Sequence, residues 1–270
     1  MILFPLLLHE MSDFKPWQGS GGRDKNLLFG IHPVMEAILA GKELDTLFIQ
    51  RDFKNDRIRE LKEACRIHQI PVKEVPAEKL NRLTSRQHQG VVGYLSLISY
   101  TKLSNIVPAL FEKGEIPFIL LLDHITDVRN FGALARTAEC AGVHAIVIPS
   151  LRSAQINSDA IKASAGALSR LPVCREDYLK DSMVYLKQCG LSLIACEETA
   201  KKNYFNCDMK GPVAIVMGSE EEGISESGKR LADVSVKIPL LGKINSLNVS
   251  VAAGIILFET VRQRKFNTII

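Results

Sequence analysis

From Asn26 onward the chain alternates short apolar runs with stretches whose apolar residues recur every three or four positions. Those two periods distinguish strands from amphipathic helices. The pattern predicts a helix over 31–40, a strand over 44–50, a helix over 55–68, a strand over 71–75, a short helix over 76–83 and a strand over 91–97. Together these make a small α/β unit over 26–98. A connector is expected over 99–116, with a helix near 104–112 and with Gly114 and Pro117 marking its end. The second unit, 117–270, opens with Phe118-Ile-Leu-Leu-Leu122, an unbroken apolar run of the kind buried on both faces of a parallel sheet. Helix 132–141, strand 144–148, helices 158–169 and 177–188, strands 191–196 and 213–217, helix 224–231, strand 234–238 and helix 247–264 follow. The expected fold class is therefore α/β, an open parallel sheet with its ligand loops at the carboxyl ends of the strands.

Composition narrows the class. The 270 residues are 46% apolar and 24% charged, as in soluble globular proteins of about two domains. Residues 1–8 are apolar but lack a basic flank and run into His9, Glu10 and Asp13, so neither a signal peptide nor a membrane span is expected. Residues 1–25 are read as a disordered extension in which Met11 is a candidate native start, and Gly19-Ser-Gly-Gly22 as a flexible linker. Six cysteines without a Cys-x2-Cys pair suggest reduced thiols in the cytoplasm. Six histidines without a ligand-like spacing give no support to a metal site. His124 is the histidine nearest to candidate chemistry. Net charge is only +4, but residues 51–90 carry ten Lys or Arg against six Asp or Glu. Solvated helix faces and a phosphate-binding surface both account for that excess.

The candidate chemistry lies in three polar islands, each following an apolar strand. They are Asp127-Val-Arg-Asn-Phe-Gly132, Gly218-Ser-Glu-Glu-Glu-Gly223 and Ile238-Pro-Leu-Leu-Gly-Lys-Ile-Asn-Ser-Leu-Asn-Val-Ser250. An ordinary turn needs a Gly or Asn and few other polar groups, whereas Ser246, Asn248 and Ser250 crowd one helix entrance and require partners. Three such strand ends imply one site.

Asp127-x-x-Asn130-x-Gly132-x-x-x-Arg136, Gly218-x-Glu220-x-x-Gly223 and the 238–250 segment resemble, in order and spacing, the three motifs of the SpoU (TrmH-like) family of RNA ribose 2′-O-methyltransferases. Leu28-Phe-Gly-Ile-His-Pro-Val-Met-Glu-Ala37 resembles the start of that family's substrate-binding domain, typical of its 23S ribosomal RNA guanosine methyltransferase branch. The resemblance implies a SPOUT-type trefoil knot in the C-terminal domain, S-adenosylmethionine as methyl donor, an RNA partner and a homodimer with its site completed near the subunit interface. It places Gly218, Ile238 and Leu247 at the cofactor, and Asn130, Arg136, Glu220, Ser246 and Asn248 on the catalytic side. Arg136 would sit at the reacting ribose. A guanidinium holds its proton above pH ~12 and offers no acceptor, so pairing with RNA phosphate fits it better than removing a proton. Glu220 is expected to orient Arg136 or Asn130, or to cap a helix, and Ser246 to cap the last helix or face the acceptor. Val128 stands where many relatives carry proline. Transfer RNA is the alternative substrate, and a non-catalytic ribosome-assembly factor the alternative class. A nicotinamide enzyme is disfavoured, since no Gly-x-Gly-x-x-Gly follows a strand.

Overall fold

A computed structural model describes residues 26–53 and 55–266. The extension over 1–25, with Met11 and the glycine-rich stretch, lies outside them. The N-terminal unit contains β1 (Leu27–Phe29), α1 (Ile31–Leu39), β2 (Leu44–Gln50), α2 (Asp56–Ile67), β3 (Val72–Val75), α3 (Ala77–Leu83) and β4 (Val91–Leu95). Its strands form a mixed sheet in the order β1-β4-β2-β3, closed on one face by α1 and α2 through Val34, Ile38, Leu61 and Cys65. Asn55 starts α2 by accepting the Arg57 amide at 3.0 Å.

Next come β5 (Tyr100–Thr101), α4 (Leu103–Glu112), β6 (Phe118–Asp123), α5 (Val128–Cys140), β7 (Ala145–Pro149), α6 (Ser158–Ala163) and β8 (Val173–Glu176). Among the described residues there follow α7 (Leu179–Gln188), β9 (Ser192–Cys196), β10 (Lys202–Asn203), β11 (Val213–Gly218), α8 (Glu226–Leu231), β12 (Val234–Lys237) and α9 (Val249–Lys265). Eight strands form one sheet in the order β10-β12-β9-β11-β6-β7-β8-β5, and every pairing in it is parallel. Alternate residues of the central strands serve opposite faces. Leu120, Leu122, Ile146, Ile215 and Met217 pack with α5, α6 and α9, while Ile119, Leu121, Val147, Ala214 and Val216 pack with α4 and α7.

The structure departs from the periodicity in places that have local causes. Strands β1, β5 and β10 are only two or three residues long, too short to show a period, and β8 (Val-Cys-Arg-Glu) has only two apolar residues. Helix α6 stops at Ala163 because Ala165 and Gly166 turn left-handed, with φ of 49° and 91°. Helix α5 begins four residues earlier than expected. Asp127 caps it, its side chain accepting the Arg129 and Asn130 amides at 2.9 and 2.7 Å, so the first island is a helical turn and not a loop. The connector 99–116 carries β5 and α4, and Leu103, Val107 and Leu110 enter the core of the C-terminal sheet.

The end of α9 is clamped to the opposite pole of that sheet. The Arg264 guanidinium donates to the carbonyls of Met209, Ile116, Pro117 and Gly211 and lies 4.9 Å from the Phe118 ring centre. Gln263 donates to the Cys207 carbonyl and accepts the Met209 amide at 2.8 Å. Arg264→Ala is expected to leave those carbonyls without their shared donor and to cost about 2–3 kcal/mol of stability. Urea denaturation followed by circular dichroism checks this, with Arg264→Lys recovering only part because one ammonium cannot span the same acceptors.

Candidate active site

The carboxyl ends of β6, β9, β11 and β12 lie side by side in the sheet, and the three polar islands rise from three of them. At the end of β6 the buried Asp123 accepts the Ser225 amide at 2.8 Å, which ties the first strand end to the loop after β11. That loop is folded tightly on itself. Ser219 takes the Gly223 amide on its carbonyl at 2.9 Å and the Glu222 amide on its hydroxyl at 3.0 Å. A Cβ on Gly218 would stand 2.1 Å from the Gly223 carbonyl carbon and 2.3 Å from the Ile224 nitrogen. The glycine is thus required by the chain's own turn, not only by a ligand. Gly132 has a different role: a Cβ there would meet the Ala163 Cβ at 2.5 Å, so it lets α5 pack closely on α6.

Three islands meet at one carboxylate. Glu220 Oε1 accepts from Asn248 Nδ2 at 2.7 Å, from the Val249 amide at 3.1 Å and from Asn130 Nδ2 at 3.4 Å. Asn248 Nδ2 also donates to Asn130 Oδ1 at 3.0 Å. Asn248 itself caps α9, its Oδ1 accepting the amide and the hydroxyl of Ser250. Glu220 therefore sits where the positive end of α9 and two amide groups converge, and its charge is held there by all three. Of the alternatives open for these residues, Asn248 and not Ser246 caps the last helix, and Glu220 bonds Asn130 and Asn248 and takes the Val249 amide, with no bond to Arg136. The Arg136 side chain is exposed on α5 and has no hydrogen bond or ion pair among the described residues, so it takes no part in the bonds at Glu220. His124, with φ of 58°, has its Nδ1 3.3 Å from a Glu222 carboxylate oxygen at the rim. Val128 fills the first helical position of α5, a place where proline is favoured but an ordinary residue serves.

Beside the junction lies a cavity of about 300 Å³, at the small end of the range for small-molecule sites. Gly218, Ile238 and Leu247 line it together with Ser246, Leu240, Val249 and Ile256. Ser246 thus faces the cavity, whereas Asn130 and Asn248 stand outside its lining. Another wall was not legible from the motifs. It is Cys196-Glu-Glu-Thr199, at the end of β9. Its signal is the same as that of the islands, polar residues directly after an apolar strand. Burial pushes the Cys196 thiol up, so it is an inert wall group. Glu197, Glu198, Glu220, Glu221 and Glu222 line the cavity against Lys229 and Lys237. The excess of carboxylates suits a cationic ligand.

The SpoU rRNA Methylase family matches residues 117–258, and a family described as RNA 2′-O ribose methyltransferase substrate binding matches residues 27–101. The chain belongs to the SpoU methylase family. YacO of Bacillus subtilis (strain 168), provisionally named a TrmH family tRNA/rRNA methyltransferase, is 33% identical over 237 residues, 88% of this chain and 95% of its own. Among solved structures, the SpoU methyltransferase AviRb of Streptomyces viridochromogenes in complex with the cofactor AdoMet superposes with a TM-score of 0.56. It is 25% identical, covering 88% of this chain and 89% of that one. The AdoMet-bound rRNA methyltransferase of Sinorhizobium meliloti gives 0.57 at 25% identity, over 88% and 87%. This SpoU methylase is an S-adenosylmethionine-dependent RNA 2′-O-methyltransferase with the family's α/β fold. Its acidic cavity fits the sulfonium donor, which supplies an activated methyl group without a metal. No helix among the described residues is long and apolar enough to cross a membrane.

Proposed function

We propose that this SpoU methylase modifies the ribose of a guanosine in 23S ribosomal RNA, with 26–98 gripping the RNA and 117–270 transferring the methyl group. The observation that carries the reading is the junction of Asn130, Glu220 and Asn248 beside the cavity. In it, Gly218, Ile238 and Leu247 hold the cofactor through backbone groups and apolar contact, and Ser246 borders the reacting end. Asn130 and Asn248, fixed by Glu220, position the ribose for in-line attack by its 2′-hydroxyl. Arg136, exposed and without a partner among the described residues, pairs with the RNA phosphate and polarises the hydroxyl, whose proton passes to phosphate or water. In this scheme Glu220 acts through its Oε1, which accepts three donors and holds the two carboxamides in place.

The knotted path of the C-terminal segment, action in the cytoplasm and a homodimer belong to the same proposal. Val251 and Phe258 on α9, each about half exposed, supply apolar area for an isologous contact. Light scattering at micromolar concentration tests the dimer, and a stable active monomer would contradict it. Arg136→Lys should keep RNA affinity within about twofold while turnover falls about a hundredfold, because an ammonium cannot grip phosphate in two places. Near-normal turnover would remove Arg136 from the mechanism. Transfer of tritium from S-adenosylmethionine to undermethylated ribosomal RNA, followed by ribose-methyl mapping, tests the substrate. Label confined to transfer RNA would move the assignment there, and no label on any RNA would leave a non-catalytic RNA-binding protein.

A further inference from the structure

The N-terminal unit is joined to the catalytic sheet by a buried polar cluster built on a β-bulge. The pairing of β2 with β4 shifts between Leu44 and Thr46, leaving Asp45 out of the ladder. A bulge re-aims the side chain it carries. Here Asp45, only 7% exposed, accepts the Tyr100 hydroxyl at 2.6 Å. Tyr100 belongs to β5, the edge strand of the catalytic sheet, and its backbone amide donates to Glu43 at 2.8 Å. Arg175 of the neighbouring β8 lies 4.0 Å from the Tyr100 ring centre and donates through Nη1 to the Leu44 and Asp45 carbonyls at 3.0 and 3.3 Å. Lys102 and Asp177 hold Gln69 beside them.

The cluster also touches the route to the site. The Ile156 backbone amide faces the Asp45 carboxylate. Two residues before it, the Ala154 amide donates to the Ile125 carbonyl at 2.7 Å, immediately upstream of the Asp127 cap of α5. Apolar side chains would bond the two units as firmly, but they would tolerate sliding. A buried, directional hydrogen-bond network fits one register, here with Asp45 Oδ1 bonded to Tyr100 and its Oδ2 left without a partner among the described residues.

We propose that Asp45, Tyr100 and Arg175 form a latch that fixes the RNA-binding unit at one distance and angle from the cavity. They are then positioning residues that select which ribose is methylated, by its spacing from the RNA element gripped upstream. This rests on the reading of the protein as an RNA methyltransferase with its N-terminal unit on the RNA.

The test uses the full chain, Tyr100→Phe and Arg175→Ala. The first removes one hydroxyl and keeps the ring, so it folds even if the second does not. Small-angle X-ray scattering should show a larger maximum dimension in the variants. S-adenosylmethionine affinity should stay within about twofold, while KM for RNA rises about tenfold, the size of one hydrogen bond to a charged group. Ribose-methyl mapping should show product spreading to neighbouring nucleotides. Unchanged scattering, or an expanded particle with unchanged KM and unchanged product position, would overturn the latch. So would a loss of cofactor affinity in step with activity, which would make the cluster ordinary packing. Should the wild-type chain methylate no RNA, the functional reading fails, and the scattering comparison still decides whether the units are latched.

Discussion

Gly218→Ala is expected to abolish measurable S-adenosylmethionine binding and, with it, methyl transfer. The added methyl would stand 2.1 Å from the Gly223 carbonyl carbon and 2.3 Å from the Ile224 nitrogen, backbone atoms that cannot rotate away. The 218–223 loop must therefore open, and it forms one wall of the cavity. Because Gly218 ends β11 in the middle of the sheet, paired to Asp123 of β6, the strand itself has little freedom to yield. Opening the loop also withdraws Glu220 from Asn130 and Asn248. Isothermal titration calorimetry reads the binding, where a loss of about a hundredfold or more in affinity is the expected outcome, and thermal unfolding should show a smaller change because the loop is exposed. Wild-type affinity in this variant would mean that the loop takes no part in the cavity wall.

Glu220→Ala should lower turnover about a hundredfold, with a smaller loss of cofactor affinity than Gly218→Ala. It frees the Val249 amide and both carboxamides at once, and a reacting group displaced by about 1 Å costs about a hundredfold in rate. Single-turnover methylation of RNA measures this. Glu220→Gln keeps one acceptor oxygen but no charge, so an intermediate rate is expected. If Glu220→Gln were fully active, the carboxylate charge would have no role in orienting the amides.

The architecture could be read from the chain where elements are long or their apolar runs unbroken. The apolar runs of β6, β7 and β11 and the long α9 are of this kind. Capping and packing decided the rest. Asp127 starts α5 early by taking two amides, a competition that apolar periodicity does not register. Edge strand β5 owes its place to Tyr100 meeting Asp45 and Arg175, contacts made across 55 and 75 residues of chain. In the site, spacing alone suggested that three islands belong together. Their meeting at a single carboxylate oxygen, with Arg136 making no bond to it, required the side-chain geometry. The Glu-Glu-Thr wall after β9 carried the same strand-then-polar pattern but no motif.

The Asn130–Asn248 contact spans 118 positions, and the helix it opens is anchored at its far end by Arg264. Every group of the junction is therefore idle until α9, the last element among the described residues, has been made and docked. During synthesis the N-terminal unit is complete long before the catalytic centre exists. Under the proposed division of labour, a chain truncated within α9 is expected to hold RNA without modifying it.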